Sequence, residues 1–210
     1  MADNYLGRKM EEYEAQKCAS VRTRRVSLVS LLTKNRSTRG FDASFKVRED
    51  QLLSLIEAAR LAPSAMNQQA LRYRIVTESE AHLVLPHIRL GAALHDVKLP
   101  LEGTEPNAFV VICSTKEGRF VDMDLGIATQ TILLRAVEMG LNGICIAAFD
   151  QEEICKALQL PYPPQLILAI GRSAERIEVV DISEGESQTY YRKNGVHYVP
   201  KLRSKDLIIK

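Results

Sequence analysis

The sequence has no CxxC pair, no excess of one charge sign and no long hydrophobic segment, and each absence removes a class of protein. Its four cysteines, Cys18, Cys113, Cys145 and Cys155, are widely separated, so neither a zinc site nor a thioredoxin-type motif is signalled. They read as reduced thiols, with Cys113 and Cys145 inside apolar runs where buried cysteine is common. Lys plus Arg is 28 and Asp plus Glu is 26, a formal net charge of +2. That is too little for a protein that coats nucleic acid or an anionic membrane, so cationic function is expected in local clusters. The apolar stretches are much shorter than a membrane-spanning helix requires. Residues 1–20 are polar throughout and lack the apolar core of a signal peptide, which makes the cytoplasm the expected location.

Catalytic signatures are missing too. There is no GxxxxGK[ST] loop, no GxSxG elbow, no HExxH and no GxGxxG after a strand. The four histidines, His82, His87, His95 and His197, do not fall at metal-ligand spacing, so no metal is expected and each reads as solvated or structural. Asp122 and Asp124, two apart, point to different faces of a helix, and helix capping is the better explanation for one of them.

What is present is a chain of 210 residues with 46% hydrophobic and 26% charged side chains. A chain of this length buries roughly 70% of its unfolded surface and needs no disulfide or metal to fold. No repeat or linker divides it. The expected organisation is an N-terminal helical arm over 1–22, striped by Leu6, Met10 and Tyr13, and a single domain over 23–210 that ends in a C-terminal tail. Helices are expected from Val26 to Leu32, from Glu49 to Leu61 with Pro63 as its stop, and from Asp124 to Met139 with Gly140 as its stop. A short helix is capped by Asp150 with Glu153 three residues on. Strands are expected from Leu71 to Thr77, Ala108 to Cys113, Asn142 to Phe149 and Leu166 to Gly171. Residues 78–106 read as helical at first and then as loop. Such a pattern indicates an α/β or α+β layered sandwich. The helix ending at Met139 is apolar almost all round, so it must be covered by its own sheet and by something more, which makes a homodimer plausible.

Three polar clusters suit a phosphorylated, planar ligand. Arg36, Ser37 and Arg39 put two guanidinium forks and a hydroxyl in one loop, a grouping that grips phosphate by charge-assisted bonds. Lys201 and Arg203 repeat the theme near the other end of the chain. In Pro63-Ser64-Ala65-Met66-Asn67-Gln68-Gln69, a helix stop is followed by small and amide side chains, and Gly140-Leu141-Asn142-Gly143 lets backbone approach something flat. Taken singly, each also reads as a solvated surface cluster or an ordinary turn.

Together these segments resemble the FMN-dependent nitroreductases. Arg36-Ser37-Thr38-Arg39-Gly40-Phe41 is similar to that family's RSxRxF signature, and Ala62 to Gln69 to its APSxxNxQP segment. Asp124 to Leu141 resembles its D-x-G-x-x-x-Q helix leading into GLG, and Ala169-Ile170-Gly171 its penultimate strand. The resemblance runs from about Leu32 to Arg203. It implies an α+β fold, a three-layer α/β/α sandwich with a mostly antiparallel central sheet. It further implies a homodimer with shared active sites and FMN as cofactor and reactive centre, so that no residue is assigned as catalytic. Arg36, Ser37 and Arg39 would hold the phosphate and ribityl end, and Lys201 and Arg203 would complete the phosphate site. Pro63, Ser64, Ala65 and Asn67 would line the flavin from across the dimer interface, and Gly143 would approach the ring. The implied activity is hydride transfer from NAD(P)H and reduction of nitro compounds, quinones or similar acceptors in a ping-pong cycle.

Three positions depart from the family pattern: Gln69 stands where proline is usual, Asn142 replaces the second glycine of GLG, and Ile146 sits near a common tryptophan. They motivate a second reading, a flavin-binding carrier or sensor without NAD(P)H-driven turnover. A nucleic-acid patch over Arg22, Arg24, Arg25, Lys34, Arg36 and Arg39 is disfavoured, because aromatic residues are only 6% and none interleaves with that run.

Overall fold

The computed structural model describes residues 9–10, 26–90 and 99–209. Most of the expected N-terminal arm, including Leu6 and Tyr13, lies outside the described residues.

The core is a four-stranded sheet of β1 (Leu71–Val76), β2 (Ala108–Ser114), β3 (Asn142–Ile146) and β4 (Pro164–Gly171) in the order β1-β2-β4-β3, every pair antiparallel. β2 and β4 occupy the centre because their residues are apolar in unbroken runs, so both faces can be covered. Along β2, Phe109, Val111 and Cys113 face one hydrophobic cluster while Ala108, Val110 and Ile112 face another. β4 divides in the same way, Ile167 and Ala169 against Leu168 and Ile170. One face is covered by α2 (Glu49–Arg60) and α3 (Arg119–Glu138) through Leu52, Leu55, Ile132 and Ala136. The other is covered by α4 (Gln151–Ala157) and by short turns, through Ile154, Ala81 and Val84. This is the three-layer α+β sandwich with an antiparallel central sheet.

Helix ends follow local chemistry. Asp150 accepts from the Glu153 amide at 3.1 Å, so the expected cap of α4 is formed. α1 (Leu28–Lys34) starts two residues after the expected Val26, because Ser27 caps it by accepting from the Ser30 amide. α3 begins at Arg119, five residues before the expected start. Neither aspartate near its start is its cap: Gly118 holds that position, Asp122 sits in the first turn, and Asp124 is buried inside the helix. Gly140 ends α3 with φ +76, while the Leu141 amide returns to the Ala136 carbonyl at 2.8 Å, the geometry for which glycine is preferred after a helix.

The expected C-terminal tail is instead a second sheet. β5 (Arg176–Ile182), β6 (Tyr191–Lys193) and β7 (Val196–Leu202) order as β5-β7-β6, with β5 and β7 parallel. Among the described residues, no helix is long and apolar enough to cross a membrane.

Candidate functional site

The segment after α1 is an extended loop held against the edge strand β3. The Thr38 amide donates to the Gly143 carbonyl at 3.1 Å, and Ser37 forms a bridge with Gly143. Thr38 is fully buried while Arg36, Ser37 and Arg39 remain accessible; Ser37 and Arg39, on either side of Thr38, alternate outward along the extended loop. Asn142 ties the loop in place. Its Oδ1 accepts from the Arg36 amide at 3.4 Å and the Gly143 amide at 3.0 Å, and its Nδ2 donates to the Lys34 carbonyl at 2.9 Å. Asparagine in place of the usual glycine therefore has a structural use: one side chain satisfies three backbone groups at the root of the loop. Asn142→Ala should cost about 1–3 kcal/mol, seen as a lower urea midpoint together with faster amide exchange at Arg36 and Thr38. Unchanged exchange there would show that the loop does not depend on Asn142.

The loop, α3, β3 and β7 line an open cleft of about 470 Å³. Of the residues expected to bind cofactor, Arg36, Ser37, Arg39, Gly143 and Lys201 line it together, although 165 positions separate the first from the last. Lys201 reaches it because β7 alternates: His197, Val199 and Lys201 all line the cleft. No carboxylate lines it among the described residues. Nε of Arg36 and Nε of Arg39 are buried without a hydrogen-bond partner, donors left over for a ligand that accepts. Arg203 does not line the cleft; it donates to Ser183 Oγ at 3.2 Å.

Gly143 lines the cleft but is glycine for an internal reason. A Cβ there would lie 2.6 Å from the Ala169 carbonyl oxygen and 2.9 Å from side-chain carbons of Ile170 and Leu133. The missing side chain is thus required by β4 and α3. The cysteine expectation is half right. Cys113 is buried, and burial above all pushes its thiol up to about 11, whereas Cys145 is exposed and lines the cleft. It alternates outward between buried Ile144 and Ile146. Ile146 packs in the core and does not face the cleft.

Pro63, Ser64, Ala65 and Asn67 are not brought to this cleft. Pro63 and Ser64 line a separate pocket of about 240 Å³ between α2, β1 and α3, with Arg60, Tyr73 and Asp124. Buried Asp124 accepts from the Ala65 amide at 2.9 Å, so its task is to fasten this segment to α3. Met66, Asn67 and Gln69 all have positive φ, near +50. The Gln69 amide donates to Ser64 Oγ at 3.2 Å and its side chain to Asn67 Oδ1 at 3.1 Å. A proline at 69 could not adopt φ +47 and has no amide to give. Counted from Ala62, however, A-P-S-x-x-N-x-Q-P puts its glutamine at Gln69 and its proline at Ala70, so Gln69 keeps the family residue and the expected departure falls at Ala70 instead. Gln69→Pro should destabilise the fold by at least about 1 kcal/mol, read as a lowered thermal midpoint. An unchanged midpoint would place the segment in another conformation.

Sequence reasoning missed Cys145, Gln130, Tyr190 and His197 as lining residues. The signal available for the last was the alternation His197-x-Val199-x-Lys201, obscured by Pro200. Burial, then the guanidinium groups of Arg39 and Arg192, hold His197 below the ordinary imidazole range, with Glu175 opposing them. No cluster of metal-ligating side chains occurs among the described residues.

The nitroreductase family model matches residues 32–172, more than half of the chain. A curated Methanocaldococcus jannaschii protein named as a nitroreductase is 33% identical over 57 residues, which cover 27% of this chain and only 29% of that protein's length. An FMN-dependent nitroreductase from Clostridium difficile is 26% identical, with a TM-score of 0.57, over 71% of this chain and 89% of that one. A Staphylococcus epidermidis protein described as an NAD(P)H:FMN oxidoreductase shares the fold at 19% identity and a TM-score of 0.59, over 73% and 90% of the two chains. With the family match spanning the loop at 36–39, the 63–69 segment and the edge strand that anchors the loop, the chain belongs to the nitroreductase family.

Proposed function

We propose that the protein is an FMN-dependent oxidoreductase that takes hydride from NAD(P)H and reduces nitro compounds, quinones or similar acceptors, working as a homodimer with shared sites. The observation that carries this reading is the cleft with Arg36, Arg39 and Lys201, no carboxylate on its described lining, and two buried guanidine donors without partners. Three cations gathered from both ends of the chain suit a phosphate dianion, and Ser37 adds a hydroxyl for it or for the ribityl chain. FMN, when bound, supplies the redox chemistry. The chain's own residues supply placement: Asn142 and Gly143 fix the basic loop, and β7 brings Lys201 opposite it.

The homodimer is supported by exposed apolar side chains. α3 buries one face on the sheet, yet Phe120, Met123 and Ile127, at helical spacing, are 54%, 46% and 41% exposed. On α1, Leu28, Val29 and Leu32 are also exposed. Surfaces of this kind mark association faces. The separation of residues 63–67 from the basic cleft within one chain is what a site completed by a second copy requires.

The test is to load the purified protein with FMN, remove oxygen and mix with NADH or NADPH. Loss of the flavin absorbance, and its return on adding a quinone, is the expected result. A protein that cannot be loaded contradicts the reading. Bound flavin that neither nicotinamide reduces would favour the carrier or sensor.

A further inference from the structure

Residues 173–209 lie beyond the family match, yet they form one wall of the basic cleft. Arg39 there is held by two side chains of that added segment. Its guanidinium carbon sits 5.0 Å from the centre of the Tyr190 ring, a cation-π distance. Its terminal nitrogen is 3.5 Å from Nε2 of His197, and His197 in turn meets Tyr190 edge to face at 5.2 Å. His197 is only 3% exposed, and its Nδ1 has no hydrogen-bond partner. Guanidinium has donors and no acceptor, so this contact is a hydrogen bond only with Nε2 accepting, which assigns the ring as neutral with its proton on Nδ1.

We propose that Tyr190 and His197 are positioning residues for the phosphate end of the site: the Tyr190 ring carries the Arg39 guanidinium and neutral His197 accepts from it, pre-setting that cation for an anionic ligand. The proposal rests on the FMN reading, through the phosphate. It gives the second sheet a function, since β7 delivers His197 and Lys201 to the same cleft and the turn before β6 delivers Tyr190. Preorganised charge binds an anion more tightly than a side chain that must first be ordered.

A pH dependence follows, with a definite sign. The charged groups around His197 are Arg39 from the basic loop, Arg192 from β6, Glu175 before β5, and Lys201 on its own strand. Glu175 is committed elsewhere, accepting from the Arg39 amide at 2.5 Å and from Arg192. Protonating His197 turns its acceptor into a second cation facing Arg39, so the clamp is intact above the imidazole's pKa and lost below it. Protonation of the phosphate dianion weakens FMN binding over the same range, so the comparison needs a variant in which only the histidine is removed.

The experiment measures binding of FMN and of riboflavin to the full-length chain by quenching of flavin fluorescence, at about pH 8 and about pH 5.5. At the higher pH, His197→Gln, which keeps an acceptor near the Nε2 position, should hold FMN within roughly threefold of wild type, and His197→Leu should lose roughly tenfold or more. Riboflavin affinity should change little in either. On lowering the pH, wild type should lose FMN affinity more steeply than His197→Gln. Equal slopes in the two proteins, or equal losses of FMN and riboflavin in His197→Leu, would overturn the proposal. Should His197→Leu not fold, the comparison of slopes decides alone. Wild type that binds neither flavin at either pH would instead defeat the FMN reading.

Discussion

Alanine at Arg36 or at Arg39 should weaken FMN binding by about 1–3 kcal/mol each, roughly five- to 150-fold, while leaving the folded state intact. The magnitude follows from what each guanidinium does in the cleft. Both contribute a buried Nε donor with no protein partner, so a phosphate oxygen would gain a charge-assisted bond without displacing an existing one. Neither side chain is in the core; the buried member of the loop is Thr38. Arg39→Ala should have the larger effect, because it removes the cation that Tyr190 and His197 hold in place. Arg203→Ala is the control. Arg203 does not line the cleft and donates to Ser183, so its loss should change FMN affinity by no more than roughly twofold, as for other exposed polar contacts. Isothermal titration of the variants with FMN reads these differences directly. Equal losses at Arg203 and Arg39 would mean that the phosphate sits elsewhere.

Gly143→Ala should act on the fold itself. The new Cβ would stand 2.6 Å from the Ala169 carbonyl oxygen, a backbone atom of the paired strand, with Ile170 and Leu133 crowding it at 2.9 Å. Flexible side chains can withdraw by a few tenths of an ångström, but a ladder carbonyl in the middle of a four-stranded sheet cannot. Overpacking of this kind costs about 1–3 kcal/mol, occasionally more. The strand must shift, and with it the carbonyl that receives Thr38, so weaker FMN retention should accompany the lower thermal midpoint. Had this glycine served only to let a flat ligand approach, alanine would lower affinity at unchanged stability. The two outcomes are separable by running thermal unfolding without FMN.

The central sheet was legible because its inner strands are continuous apolar runs bounded by Pro, Gly and polar residues, a pattern that long-range packing reinforces. The basic loop stood out as two arginines and a serine in four residues, a cluster that alone reads equally as solvated surface and gained meaning only from its order with the other segments. Reading failed where the pattern depends on which side of a strand faces what. Cys145 lies in an apolar run, but β3 is an edge strand beside the basic loop, so its outward residue faces a cleft instead of a second layer. The second sheet was hidden for a different reason. β6 is three exposed polar residues, Tyr191 to Lys193, and β7 carries Pro200, so neither shows the apolar alternation that marks a half-buried strand. Asp124 is the third case. A carboxylate near a helix start suggests a cap, and only the fold reveals that a backbone amide from residue 65 waits for it. The unusual Asn142 becomes intelligible in the same way, through the backbone groups it satisfies.

The proposed function stands on Arg36, Arg39 and Lys201 forming a phosphate site. Titrating the full-length protein with FMN and with riboflavin, which differ only by that phosphate, tests it most directly. FMN should bind much more tightly than riboflavin, and the double variant Arg36→Ala, Arg39→Ala should abolish most of the difference. Equal affinity for the two flavins in the wild-type protein, or a preference for FMN that survives the double substitution, would contradict it.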